Sequence, residues 1–214
     1  MFGASLRKKL MREVRGAAIC GVRIDGADHE FKLFDGVIED VVQIVENLKK
    51  VRVVLKGAGP TLVAVSASGP KKLVAGDLAR DPDVVMADPS QVIATVGQGG
   101  QFNMEVEIAS GVGYESIQGL GGRRPGWIEI DRNYSPVRQV AMRLEEEGKA
   151  TFLWLGITTD GTLGPEEAVV RAASALELKP ETREPIGPLC RSVAELGPVQ
   201  APAVGAVQAE LQTR

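Results

Sequence analysis

From Val51 to Asp131 the chain alternates short β-type runs with breaks rich in Gly, Pro and Asp. VRVVLK and TLVAVSA flank GAGP, and VIATV and FNMEVEI flank GQGG. Punctuation this frequent leaves no room for a long helix, so the middle of the chain must fold as strands and turns. Between these pairs, SGPKKLVAGDLARDPDVVMADP reads as turns around one short strand. Beyond them, SGVGYESIQGLGGRRPG reads as an exposed loop and WIEID as a return to strand.

Helical patterns flank this region. At the start, Phe2, Leu6, Leu10 and Val14 line one side of a predicted helix whose other sides carry Arg7, Lys8, Lys9, Arg12 and Arg15. Gly16 suits the residue just past its end. AICGVRI (18–24) is a predicted strand, Asp25-Gly26 a predicted hairpin turn, and HEFKLF the strand on its far side. In FDGVIEDVVQIVENLKK, Val37, Val41, Ile44, Val45 and Leu48 share a helical face. Asp35 is the expected cap, Glu39 and Asp40 sit at the anion-favouring end, and Lys49 and Lys50 at the cation-favouring end. QVAMRL and TFLWLGI read as paired strands, with an Asp160-Gly161 turn after them. A helix then opens on Pro165 with a stripe of Val169, Ala172, Ala173 and Leu176. Pro180 ends it, and the Pro/Ala/Gly-rich remainder reads as a flexible tail or linker.

Aromatics are 4% of the residues against 44% apolar in total, so the core must be built from Val, Leu, Ile and Ala. A net charge of −3 argues against nucleic-acid binding over the whole surface. Cys20 and Cys190 give no disulfide framework, and the single His29 gives no His/Cys metal cluster, which fits a reduced, cytoplasmic protein. No apolar run is long enough to span a bilayer.

Candidate active sites fail on spacing. GLGGRRPG lacks the Lys-Ser/Thr of a phosphate loop. Asp25, Asp28, His29 and Glu30 fall on alternating strand positions and do not converge. Asp77, Asp81, Asp83 and Asp88 lack the calcium-loop spacing and its closing Glu. No catalytic, cofactor-binding or metal residue is assigned, which points to a scaffold or binding protein.

Several stretches occur together in the order of one family. IDGADHEF, GVIEDVVQIVENLKKVRV, DPDVV followed by VIAT, GVGY, IDRNYSPVRQV and TTDGTLGPEEAVVRAASAL resemble the amino-terminal domain of the bacterial DNA-directed RNA polymerase alpha subunit over about residues 2 to 178. The resemblance implies an α+β fold in two parts. A discontinuous dimerisation subdomain of helices on a small antiparallel sheet comprises 1–15 and 135–178. An inserted β-rich subdomain comprises 16–134, and 179–214 is the tail.

The resemblance also implies a non-catalytic scaffold that dimerises and assembles the beta and beta-prime subunits, with the chemistry residing elsewhere. Arg7, Lys8 and Met11 match positions used toward beta. Lys49 and Ile130 match positions linked to beta-prime. Phe2, Leu6, Leu10, Val14, Val169, Ala172, Ala173 and Leu176 would meet their counterparts in a homodimer, or in a heterodimer with full-length alpha. The match is divergent. Lys8 stands where the family has arginine, which lysine's point charge does not imitate. The strands that usually precede the first helix, and the carboxy-terminal DNA-binding domain, have no counterpart here, so no direct DNA contact is expected, and no membrane contact. One alternative is a truncated alpha-like paralogue that modulates assembly. Another, of a different class, is a small enzyme using the Asp-rich turns for a metal or the Gly-rich loop for a nucleotide.

Overall fold

Buried Val63, Val65 and Ala67 alternate with exposed Leu62, Ala64, Ser66 and Ser68, so this strand is apolar toward the core and, Leu62 apart, small or polar toward water. The structure, a computed structural model, describes residues 2–27, 32–119, 124–147, 150–175, 191–192 and 207–208. Its class is α+β. By contacts the chain divides into two units, Met1–Val14 with Ser135–Arg214, and Arg15–Tyr134.

The Arg15–Tyr134 unit contains β1 (Arg15–Ile24), α2 (Val41–Lys50) and nine further strands. These are β2 (Val53–Leu55), β3 (Thr61–Ser68), β4 (Lys71–Val74), β5 (Val84–Met86), β6 (Val92–Val96), β7 (Gln101–Val112), β8 (Tyr114–Glu115), β9 (Ile128–Glu129) and β10 (Arg132–Asn133). The main sheet is antiparallel in the order β3-β7-β1-β9. Val106 of β7 lies opposite both Val22 of β1 and Val63 of β3, so apolar rows run straight across it. Pairs β2-β5, β4-β6 and β10-β8 complete the unit. Ile44, Leu48, Leu73, Leu78, Ile93 and Ile108 are wholly buried in its core. Phe34 meets Phe102 edge-on at 5.7 Å. The other unit holds α1 (Phe2–Arg12), the antiparallel hairpin of β11 (Val137–Glu147) and β12 (Ala150–Thr159), and α3 (Pro165–Ala175). Leu6, Leu10, Leu155, Ile157, Ala168 and Ala172 form its core.

The structure corrects several expectations. The α2 helix begins at Val41, and its cap is Asp40 rather than Asp35. Asp40 Oδ1 accepts from Gln43 N at 2.7 Å, and the Gln43 side chain accepts from Asp40 N. The pattern cannot extend back to Asp35, because Gly36 takes a φ of 77° and Val37 bridges to Val96. Glu39 instead accepts from Thr95 N and Oγ1 at 2.6 and 3.0 Å.

The opening helix stops at Arg12, and Gly16 lies in β1 opposite Gly111. Asp25-Gly26 does turn, with Gly26 at φ 80°, but β1 pairs with β7 and β9 rather than with its sequence neighbour. HEFKLF is partly outside the described residues, and Lys32–Phe34 is not strand. The segment read as turns around one strand holds β4, a 3-10 turn over Ala75–Leu78, and β5. Within 179–214, Arg191–Ser192 pairs with Val207–Gln208, and the remainder lies outside the described residues.

Candidate partner-binding surfaces

The α1 helix buries Leu6 and Leu10 and exposes Arg7, Lys8 and Arg12, and Val14 just past its end is buried too. Lys9 is drawn back to Glu13 by an i,i+4 ion pair. Arg7, Lys8 and Arg12 make no ion pair among the described residues. Lys8 and Arg12 stand one turn apart, a spacing at which like charges repel by about 0.2–0.5 kcal/mol. Met11 is half-buried against the core of its unit.

The apolar stripes assigned to an interface between two copies are largely consumed within one chain. Leu6, Leu10, Val14, Val169 and Ala172 are between 0% and 6% exposed, and Ala173 is half-buried. The side chain of Phe2, and Leu176, lie outside the described residues. Beside this closed core Leu144, Val170 and Met142 stay open, at 68%, 57% and 38%. Sequence reading did not single them out, because strand alternation identifies a face and not how far the helices cover it.

In the Arg15–Tyr134 unit, Lys49 is exposed near the end of α2 and pairs with Glu46 at 2.7 Å. It borders a cleft of about 250 Å³ with Leu48, Val51, Tyr114, Asp131 and Asn133. Asp131 accepts from Ile117 N at 2.9 Å, which fixes one wall. Ile130 is 1% exposed and belongs to the core, so it could act on a partner only through the residues it supports.

A charge network that sequence reading missed lies on the solvent side of the main sheet. The Arg124 guanidinium forks to both oxygens of Glu107, at 3.1 and 2.6 Å, and its Nε reaches Glu129 at 2.8 Å. It also stacks on Trp127, 4.4 Å from the ring centroid. Gly21 leaves the room for this, since a Cβ there would meet Arg124 and Trp127 at 3.2 and 3.3 Å. Beneath the network, Cys20 Sγ lies 3.6 Å from Tyr134 Oη. Burial pushes the Cys20 thiol up from its usual value, so it is a poor nucleophile.

The aspartates weighed for a metal serve the backbone instead. Asp81 accepts from Asp83 N at 2.9 Å, Asp88 from Ser90 N at 3.0 Å, and Asp77 from Val74 N at 3.0 Å. Among the described residues no three metal-ligating side chains converge. Of the Gly-rich loop, Gly119 through Arg123 bears on a phosphate role but lies largely outside the described residues.

The fold and these surfaces define a chain in which a β-rich module interrupts a helix-and-hairpin unit, with exposed charge and apolar side chains on its outer elements. A family model described as the RNA polymerase Rpb3/RpoA insert domain matches residues 22–135, more than half of the chain. The chain belongs to this family, as an RNA polymerase subunit of the alpha amino-terminal type. No helix among the described residues is long and apolar enough to cross a membrane.

Proposed function

We propose that the chain is a non-catalytic assembly scaffold of DNA-directed RNA polymerase. The Met1–Val14 and Ser135–Arg214 unit pairs with a second copy or with full-length alpha, α1 recruits beta, and the Lys49 cleft receives beta-prime. The observation that carries this reading is the outer surface of the helix-and-hairpin unit. Three cations without an ion pair among the described residues stand on α1, and Met142, Leu144 and Val170 remain exposed although the unit's own core is closed. Exposed apolar side chains of this kind gain by burial against another surface. A partner carboxylate near Lys8 would relieve the repulsion along the helix.

Sedimentation of the purified chain, alone and with purified beta subunit, tests both halves. The reading expects a dimer that binds beta, and a Lys8→Glu variant that keeps its fold but binds beta about tenfold more weakly, the loss of roughly one charge-assisted contact. A chain that stays monomeric at high concentration, alone and with full-length alpha, and ignores beta would rule the scaffold out.

A further inference from the structure

An α-helix leaves its last carbonyls without intrahelical partners, and a glycine just past the end usually closes them. The α1 helix lacks that device, since Gly16 belongs to β1. The Glu13 amide donates back to Lys9 O at 2.8 Å, which leaves the carbonyls of the final turn open. One is met from far along the chain: Ser135 Oγ shares its single proton between Met11 O at 3.2 Å and Val137 O at 3.1 Å. Ser135 is 8% exposed, so water competes little for its proton. Pro136 follows it and restricts the Ser135 backbone to extended conformations. The hydroxyl therefore reaches α1 from a stiff mount at the start of β11.

We propose that Ser135 is a positioning residue: a long-range cap that fixes the C-terminal turn of α1, and with it the direction in which Lys8 and Arg12 are presented to the beta subunit. Arg12 directly follows the capped carbonyl, and Lys8 lies one turn back on the same side. If the turn frays, these cations spread over more directions and the contact weakens, while the apolar anchors Leu6 and Leu10 keep the helix docked. The inference rests on the reading that α1 faces beta.

The test is a double-mutant cycle on the whole 214-residue chain, with purified beta subunit as the probe. Ser135→Ala should weaken beta binding about fivefold, the equivalent of one net hydrogen bond. Ser135→Thr, which keeps the hydroxyl, should restore it. In a Lys8→Glu background most of the Ser135→Ala effect should vanish, because the cation being aimed is gone. A general loss of stability would instead lower binding equally in both backgrounds, and that additivity would overturn the proposal, as would unchanged binding of Ser135→Ala when Lys8→Glu does weaken it. If Lys8→Glu itself has no effect, the underlying reading of α1 fails rather than the cap.

Discussion

The two units differ in where their unmatched basic side chains fall. In the Arg15–Tyr134 unit Arg124 pairs with Glu107 and Glu129, Arg23 with Glu105 at 2.7 Å, and Lys71 with Asp77 at 2.8 Å, while Arg15, Lys56, Lys72 and Arg80, without an ion pair among the described residues, are spread over separate parts of the unit. In the other unit Lys9, Arg138, Arg143 and Arg171 pair with Glu13, Asp160, Glu145 and Glu167, and the cations left unmatched among the described residues, Arg7, Lys8 and Arg12, share the single helix α1. Both units leave apolar side chains open, Leu33 and Ile38 at 72% in one and Leu144 at 68% in the other, so apolar exposure alone does not separate them. Paired charge holds a fold together and has little left for a partner. Unpaired charge of one sign on a single helix does nothing for the fold and is available outward. On the proposed function, the paired residues serve internal stability and the cations gathered on α1 serve recognition.

The largest expected effect tests how firmly the β-rich unit is closed. A Cβ on Gly111 would sit 2.5 Å from the Tyr134 ring, which is itself 4% exposed. Gly111→Ala must push that ring away from Cys20, and should cost about 2–3 kcal/mol in a urea unfolding curve, the range for overpacking a filled core. Cys20 should then react faster with a thiol reagent, read in a Cys190→Ser background. A loss below about 0.5 kcal/mol would mean that this packing is loose and that the contrast between the units is overdrawn.

Elements whose cause is local were legible in the sequence, and those closed from a distance were not. The buried face of α2, with Val41, Ile44 and Leu48, follows from periodicity alone. Its start did not, because the Val37–Val96 bridge that stops the helix is a tertiary event. The end of α1 was misplaced for the same reason: Ser135 caps it across more than a hundred residues, and only the Ser-Pro dipeptide hinted at a rigid extended residue there. Strands were readable as runs, but the pairing of β1 with β7 was not, since alternation fixes a face and not a neighbour. The exposure of Arg7, Lys8 and Lys49 follows from their place on their helices. The openness of Met142 and Val170 depends on how α1 and α3 lie over the hairpin, which no residue pattern states.

A smaller effect crosses the two units. Arg124→Ala removes a forked ion pair that is 40% exposed on the arginine side, and after allowance for solvent screening should cost about 1 kcal/mol of stability. Beta binding should not change. Lys8→Glu should do the reverse, with stability within about 0.5 kcal/mol of the starting chain and beta binding reduced. If Arg124→Ala also weakens beta binding, the matched charges are not purely structural and the division between the units falls.

The smallest effect concerns acid. Partial burial works against ionising Asp77, but its bonds from Lys71 and the Val74 amide outweigh that, and its carboxyl titrates below the usual range. A carboxyl whose folded-state pKa is depressed adds stability that is fully present above its unfolded-state pKa and is lost as pH falls through the folded one. Asp77→Asn should therefore be less stable than the starting chain at pH 7 by a fraction of a kcal/mol. The gap should close toward pH 3, where the native carboxyl also begins to take up its proton. Urea midpoints at the two pH values measure this. Because Lys8 and Arg12 have no such carboxylate paired with them among the described residues, Lys8→Gln should shift the midpoint by the same small amount at both pH values. A gap for Asp77→Asn that does not narrow in acid would mean the Lys71 pair contributes nothing to the fold, and one of the matched charges would drop out of the comparison.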